Sequence, residues 1–287
     1  MLDQAARLRE LAMGNSTISS SSGTKIITVT SGKGGVGKSN FVVNLAITLQ
    51  KLGKKVLIFD ADLGMGNDDV IMGIFPKYNI FNIINNNMSI SEVMVEGPCG
   101  VKLLPGGSGI NKIEDLTSEE RETFLSKLNS LEDFDYILID TGAGINRSVL
   151  AFISSSDELY VVTTPEPTSL TDAYSLVKAV SHFQIKNKAK IIVNKALDYG
   201  EAKITFMKFQ GAVNKFLNMK VEYLGPILED RRLTQSVRNQ KPLVIGYPNS
   251  DSAKDILNIA KDIMGEKNSE SGKGVQNLFK KIFNIFS

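Results

Sequence analysis

The sequence predicts an α/β fold: a mainly parallel, twisted sheet with helices on both faces. Three features carry this expectation. A glycine loop, Ser31-Gly32-Lys33-Gly34-Gly35-Val36-Gly37-Lys38-Ser39, lies between a β-branched run and an apolar-periodic segment. Apolar runs ending in an acid recur at Val56–Asp60 and Tyr136–Asp140. Strand-like and helix-like stretches then alternate along the chain, an order that yields parallel strands covered on both sides.

Residues 1–12 are rich in good helix formers, with Asp3 early and Arg7 and Arg9 later, as the helix dipole favours. Such a helix is too short to be stable alone. The serine-rich run Gly14–Gly23 reads as a flexible linker. A marginal helix on a tether suggests a peptide that folds on a partner. The alternative is a frayed extension.

Lys25–Thr30 reads as a strand and Asn40–Leu52 as a helix, so the glycine loop sits where a P-loop needs it. A helix N-terminus presents unpaired N–H groups and partial positive charge, and glycines let the loop wrap an anion closely. Lys38 can reach the β- and γ-phosphates, and the Ser39 hydroxyl can hold Mg²⁺. Gly32, Gly34 and Gly37 also satisfy the dinucleotide pattern G-x-G-x-x-G, with Asp60 placed like a ribose-binding acid. That reading leaves Lys38 and Ser39 without a role, so an NTPase is favoured.

Val56–Asp60 reads as the next buried strand, and Asp60-Ala61-Asp62 puts two carboxylates at its C-terminal end. Ligands bind at that edge of open α/β sheets, where carboxylates can hold Mg²⁺ or orient a water. Residues 65–98 look loop-rich, with a helix start at Ser89-Ile-Ser-Glu92. Val101–Leu104 reads as a strand and Ser118–Leu131 as an amphipathic helix. Tyr136–Asp140 fits the strand whose aspartate positions Mg²⁺, and Gly142 and Gly144 permit a loop that responds to the γ-phosphate. Further strands are expected at Leu159–Thr163, Lys190–Asn194 and Tyr223–Ile227, and a helix at Leu170–Phe183. His182, the only histidine, reads as an ordinary helix residue. Asn194-Lys195-Ala196-Leu197-Asp198 is one residue longer than the N-K-x-D base-reading run of GTPases, which argues for ATP.

The 287 residues can bury a large core, and the net charge of +2 gives no global field for nucleic acid. A single cysteine, Cys99, excludes a disulfide framework or a multi-cysteine cluster within one chain and reads as a small filler residue. No secretory signal is read and no apolar run is long enough to span a bilayer, so a soluble, cytosolic protein is expected.

Glu266–Gly272 reads as a polar linker. Beyond it Val275, Leu278, Phe279, Ile282, Phe283 and Phe286 form a helical apolar stripe accompanied by Lys273, Lys280 and Lys281. Such a helix can lie in a bilayer interface beside anionic lipids, and two copies in a dimer would bind more firmly. The alternative is packing on its own domain. The two are compatible if the helix docks in the monomer and is released in the dimer.

Gly32-Lys33-Gly34-Gly35-Val36-Gly37-Lys38-Ser39 resembles the deviant Walker A loop of MinD/ParA ATPases, over roughly residues 24–265. The resemblance implies that Lys33 crosses an ATP-dependent homodimer to the partner's phosphates and that Asp62 orients the attacking water. It implies that Ser39, Asp60 and Asp140 support Mg²⁺ and that Asn194 reads adenine. Gly225–Arg232 is similar to the adenine-side loop. Within the group, Asp3-Gln4-Ala5-Ala6-Arg7-Leu8-Arg9 resembles the D-Q-A-x-x-L-R motif of the FlhG (FleN, YlxH) flagellar regulators, and Asp60–Asn67 their switch I, with Gly66 in place of an expected alanine. For that family Asp3, Gln4, Ala5, Leu8 and Arg9 would stimulate the SRP-like GTPase FlhF. Flagellar switch (C-ring) proteins are a further expected partner class, and no specific nucleic acid is expected.

The resulting organisation is a partner-activating helix and linker over residues 1–23, an ATPase domain over 24–265, and a linker plus membrane-targeting helix over 266–287. The expected protein is a slow, dimer-dependent ATPase that cycles onto the inner face of the cell membrane and sets flagellar number or placement. A division-site MinD-like ATPase, a DNA-partitioning ParA-like ATPase and a non-catalytic scaffold are the alternatives. An iron–sulfur carrier of this fold is disfavoured by the lone Cys99.

Overall fold

The computed structural model describes residues 23–62, 66–86, 88–107, 117–127, 131, 133–266 and 275–286. Its strands are β1 (Lys25–Ser31), β2 (Val56–Ala61), β3 (Val95–Glu96), β4 (Lys102–Pro105), β5 (Tyr136–Ala143), β6 (Glu158–Thr163), β7 (Lys188–Ala196) and β8 (Lys220–Leu228). The helices of the first half are α1 (Lys38–Lys51), α2 (Asp68–Met72), α3 (Ile80–Asn85), α4 (Ile90–Val93), α5 (Ser118–Lys127) and α6 (Arg147–Ser155). Those of the second half are α7 (Pro167–His182), α8 (Tyr199–Phe216), α9 (Arg231–Arg238), α10 (Leu243–Gly246), α11 (Asp251–Gly265) and α12 (Val275–Phe286).

The strands form one eight-stranded sheet in the order β3-β4-β2-β5-β1-β6-β7-β8. Only the β3–β4 pair at the edge is antiparallel. β1 lies between β5 and β6, so the glycine loop leaves the middle of the sheet. The β2–β5 register pairs Asp60 directly with Asp140.

Alternation along the strands sends side chains to two buried faces. Ile27, Val29, Ile58, Leu138 and Val162 pack under α1 and α11, while Ile26, Leu57, Phe59 and Ile139 pack with α6 and α12. Leu159, Val161, Ile191 and Val193 continue the second face beneath α7 and α8. Burial on both faces explains why these strands are nearly uninterrupted apolar runs.

Three findings bear on the sequence reading, two as corrections and the third as the docked alternative for the last helix. The 65–98 stretch carries α2, α3, α4 and β3, each too short to show a period; Ser89 and Glu92 form the capping box of α4. Cys99 is exposed in a turn at φ 60°, so it fills no core space. The described stripe of α12 is docked on its own domain: Leu278, Phe279, Ile282 and Phe283 are buried. Phe279 meets Phe59 at 5.7 Å and Phe124 at 5.2 Å, and Phe283 meets Phe124 at 5.6 Å between ring centroids. Val275 and Phe286 bound this helix, and their side chains lie outside the described residues. No helix among the described residues is long and apolar enough to cross a membrane.

Where β1, β6 and β7 begin, Lys25 and Lys190 share Glu158 at 2.8 and 3.0 Å. Glu266, at the end of α11, also pairs with both lysines.

Candidate nucleotide-binding site

The loop between β1 and α1 takes its shape from backbone constraints. Gly35 and Gly37 have φ of 78° and 92°, in the left-handed region that side chains disfavour. Gly32 passes so close to α7 that a Cβ would lie 2.1 Å from the carbonyl carbon of Asp172. From below, the Asn194 Nδ2 donates to the Val36 carbonyl at 2.7 Å and the Lys195 Nζ to that of Gly35 at 2.8 Å. Asn194 is therefore packed against the loop, with one of its two carboxamide N–H groups engaged there.

Lys38 projects from the first turn of α1 into a buried acidic cluster, its Nζ 2.6 Å from Asp140 Oδ1. The Ser39 hydroxyl, like Lys38, favours the ionised form of Asp140. Asp60 stands beside Asp140 in register and accepts the Asp62 backbone N–H at 3.1 Å. Burial and then the neighbouring Asp140 push the Asp60 carboxyl up to about 7, while the Asp62 N–H and Lys38 oppose the rise. Burial also holds Asp140 above the ordinary carboxylate range against the pull of Lys38.

Gly66 covers Asp60 so closely that a Cβ would come 2.1 Å from its Oδ2. That contact is the physical reason for a glycine where an alanine was expected. Gly66→Ala must displace the Asp60 carboxyl. It is expected to raise the divalent-cation concentration that nucleotide binding requires about tenfold, as changes beside metal sites do. A cation titration that matches the parent protein would refute this.

Lys33 sits at the rim, its Nζ 3.0 Å from both Glu166 Oε2 and Thr168 Oγ1. Its side chain is 37% exposed and that of Glu166 62%. The pair is therefore weak and readily exchanged. In front of the loop lies a cavity of about 1000 Å³, walled by Asp62, Asn67, Gly142 and Asn146 and, from α9, by Leu233 and Arg238.

Gly32 through Ser39, Asp60, Asp62 and Asp140 thus converge, with Asn194 beneath them. Asp3, Gln4, Ala5, Leu8 and Arg9 lie outside the described residues. Sequence reading missed the α9 wall and Asp68, the first residue of α2. Asp68 is fully buried, and neither carboxylate oxygen has a hydrogen-bond partner. Burial first, then Asp140 and Asp60, holds it well above the usual carboxylate range. The Asn67–Gly73 spacing was a local sign of a short helix, but nothing local marks Asp68 as buried.

The donors of the loop and Lys38 suit a polyphosphate. Ser39 and the carboxylates are hard oxygen ligands that suit Mg²⁺. Among the described residues no three His, Cys, Asp or Glu side chains are grouped to hold a metal ion by themselves.

Residues 24–193 match the family model described as an AAA domain. The chain is 37% identical over 265 residues to the flagellum site-determining protein YlxH of Helicobacter pylori, covering 91% of this chain and 90% of that protein. It is 32% identical over 240 residues to the antiactivator FleN of Pseudomonas aeruginosa, covering 83% and 86%. The septum site-determining protein MinD of Pyrococcus horikoshii, solved with Mg-ADP, superposes with a TM-score of 0.66 at 25% identity, over 84% of this chain and 96% of that one.

Proposed function

The chain belongs to the FlhG type of the MinD/ParA P-loop ATPases, the type that includes FleN and YlxH, and on that footing we propose that it is a membrane-cycling switch controlling flagellar number or placement. The observation that carries the reading is the pairing of a complete P-loop site with a rim lysine held only by exposed partners. ATP binding draws Lys38 from Asp140 to the β- and γ-phosphates. Bound Mg²⁺ would supply neutralising charge at those phosphates, with Ser39, Asp60 and Asp140 as its protein ligands or supports. Asp62 borders the cavity and orients the attacking water. Lys33 exchanges Glu166 and Thr168 for the phosphates of a second copy, so hydrolysis is slow and needs the dimer. Asn194 stands on the adenine side and orders the loop through Val36.

In this reading α12 leaves its groove when the dimer forms and lies on an anionic bilayer. Phe59 supports this coupling. It packs against Phe279 and is the immediate neighbour of Asp60 on β2, so movement of the acid reaches the helix floor through one strand. The segment containing Asp3, Gln4, Ala5, Leu8 and Arg9 stimulates FlhF, and flagellar switch proteins are further partners.

Liposome co-sedimentation tests the proposal, with ATP or ADP, on the full chain and on a chain ending at Gly272. The expected result is sedimentation with ATP only, lost on truncation. No sedimentation with either nucleotide would leave α12 as an intramolecular helix and remove the membrane step. The same variant set should include Lys33→Ala, which is expected to stay monomeric with ATP.

A further inference from the structure

We infer that Lys195 is a positioning residue for nucleotide binding: a bulge in β7 turns it and Asn194 together onto the glycine loop, and the pair aims two loop N–H groups at the phosphates. The inference rests on the Mg·nucleotide reading above and goes beyond it by giving Lys195 and the bulge a role.

Consecutive residues of a regular strand point to opposite faces. Yet the side chains of Asn194 and Lys195 reach the carbonyls of two consecutive loop residues, Val36 at 2.7 Å and Gly35 at 2.8 Å. The register explains how. Asn194 pairs with Ile227 and Ala196 with Leu228, so Lys195 is an extra residue on β7. A bulge of this kind re-aims a side chain. Lys195 also has φ 57°, in the left-handed region that a residue with a Cβ adopts at a cost. A hydrogen bond from its exposed ammonium returns little stability to the free chain. The strained bulge is explained instead by what it does to the loop.

That effect follows from peptide geometry. In a trans peptide the carbonyl of one residue and the N–H of the next point in opposite directions. Holding the carbonyls of Gly35 and Val36 from behind turns the N–H groups of Val36 and Gly37 forward, and all three residues line the cavity. Neither N–H has an acceptor among the described residues. Two donors with a fixed aim suit the oxygens of a phosphate group. The seat is close: a Cβ on Gly37 would lie 2.3 Å from the Asn194 Nδ2. Asn194 is buried there, whereas the ammonium of Lys195 is exposed and can be removed without opening the core.

The test uses the full chain in MgCl₂, with a fluorescent ADP titrated directly and inorganic tripolyphosphate measured by its displacement of that ADP. Lys195→Met keeps the stem and removes the donor, and Lys195→Arg returns a donor. Lys195→Met is expected to weaken ADP and tripolyphosphate alike, about tenfold, the scale of a hydrogen bond to a charged group. Lys195→Arg should recover most of the loss. The nucleotide-free thermal midpoint of both variants should match the parent's. A loss for ADP with tripolyphosphate unaffected would overturn the inference, since it marks a contact to base or ribose. So would a lowered nucleotide-free midpoint in Lys195→Met accompanying the loss, which marks a structural residue. A parent that binds neither probe would overturn the Mg·nucleotide reading itself. A parent that binds both, with Lys195→Met binding them equally well, would overturn only the role of Lys195.

Discussion

Lys38→Ala is expected to reduce nucleotide affinity by more than about a hundredfold, the scale of losing a charge-assisted phosphate contact in a buried site. It is also expected to unfold earlier than the parent. The two losses have different causes. The first removes the ammonium that meets the phosphates. The second strands Asp140, whose side chain is 2% exposed and paired with Lys38 at 2.6 Å. Breaking one side of a buried ion pair typically costs about 3–5 kcal/mol.

Protonation softens that cost. Burial already raises Asp140, and without Lys38 it rises further, so the folded variant holds a proton that the unfolded chain has released. Its stability therefore falls as pH climbs above the ordinary carboxylate range, and the gap to the parent widens. The double variant Lys38→Ala, Asp140→Asn removes the stranded charge. It should recover most of the stability and none of the nucleotide binding. Denaturant unfolding at two pH values and a nucleotide titration check both halves. A single variant that binds nucleotide within a few-fold of the parent would contradict the assignment.

Phe279→Ala is the second large effect, and its size reports on how α12 is held. Truncating a buried Phe in a close-packed core costs about 3–5 kcal/mol. Phe279 touches both Phe59 and Phe124, so the full cost applies if α12 stays in place. A helix that can leave its groove sets a ceiling instead, because no substitution on it can cost more than its own docking. The expected result is saturation: Phe279→Ala with Phe283→Ala should be no less stable than the chain ending at Gly272. Additive losses beyond that of the truncation would place α12 within the cooperative core and argue against its release during the ATP cycle.

The glycine loop, Asp60, Asp62 and Asp140 were legible because their signals are local: a strand, an acid and a turn within ten residues of each other. Their meeting depends on β1 lying beside β5 and β5 beside β2, an order no local pattern encodes. Asp68 shows the limit most sharply. Asp68 and Asp69 are identical neighbours in the sequence, yet only the first is buried, because tertiary packing decides which carboxyl turns inward. The apolar stripe of α12 was equally plain as a period, but a period says that a face needs cover and not what covers it. The short helices α2 to α4 escaped because less than two turns is too little for a repeat.

The Glu266 ion pairs clasp the end of α11 to the starts of β1 and β7. That clasp lies at the pole opposite the glycine loop, so the end of the ATPase domain is fixed on the far side of the sheet from the nucleotide pocket.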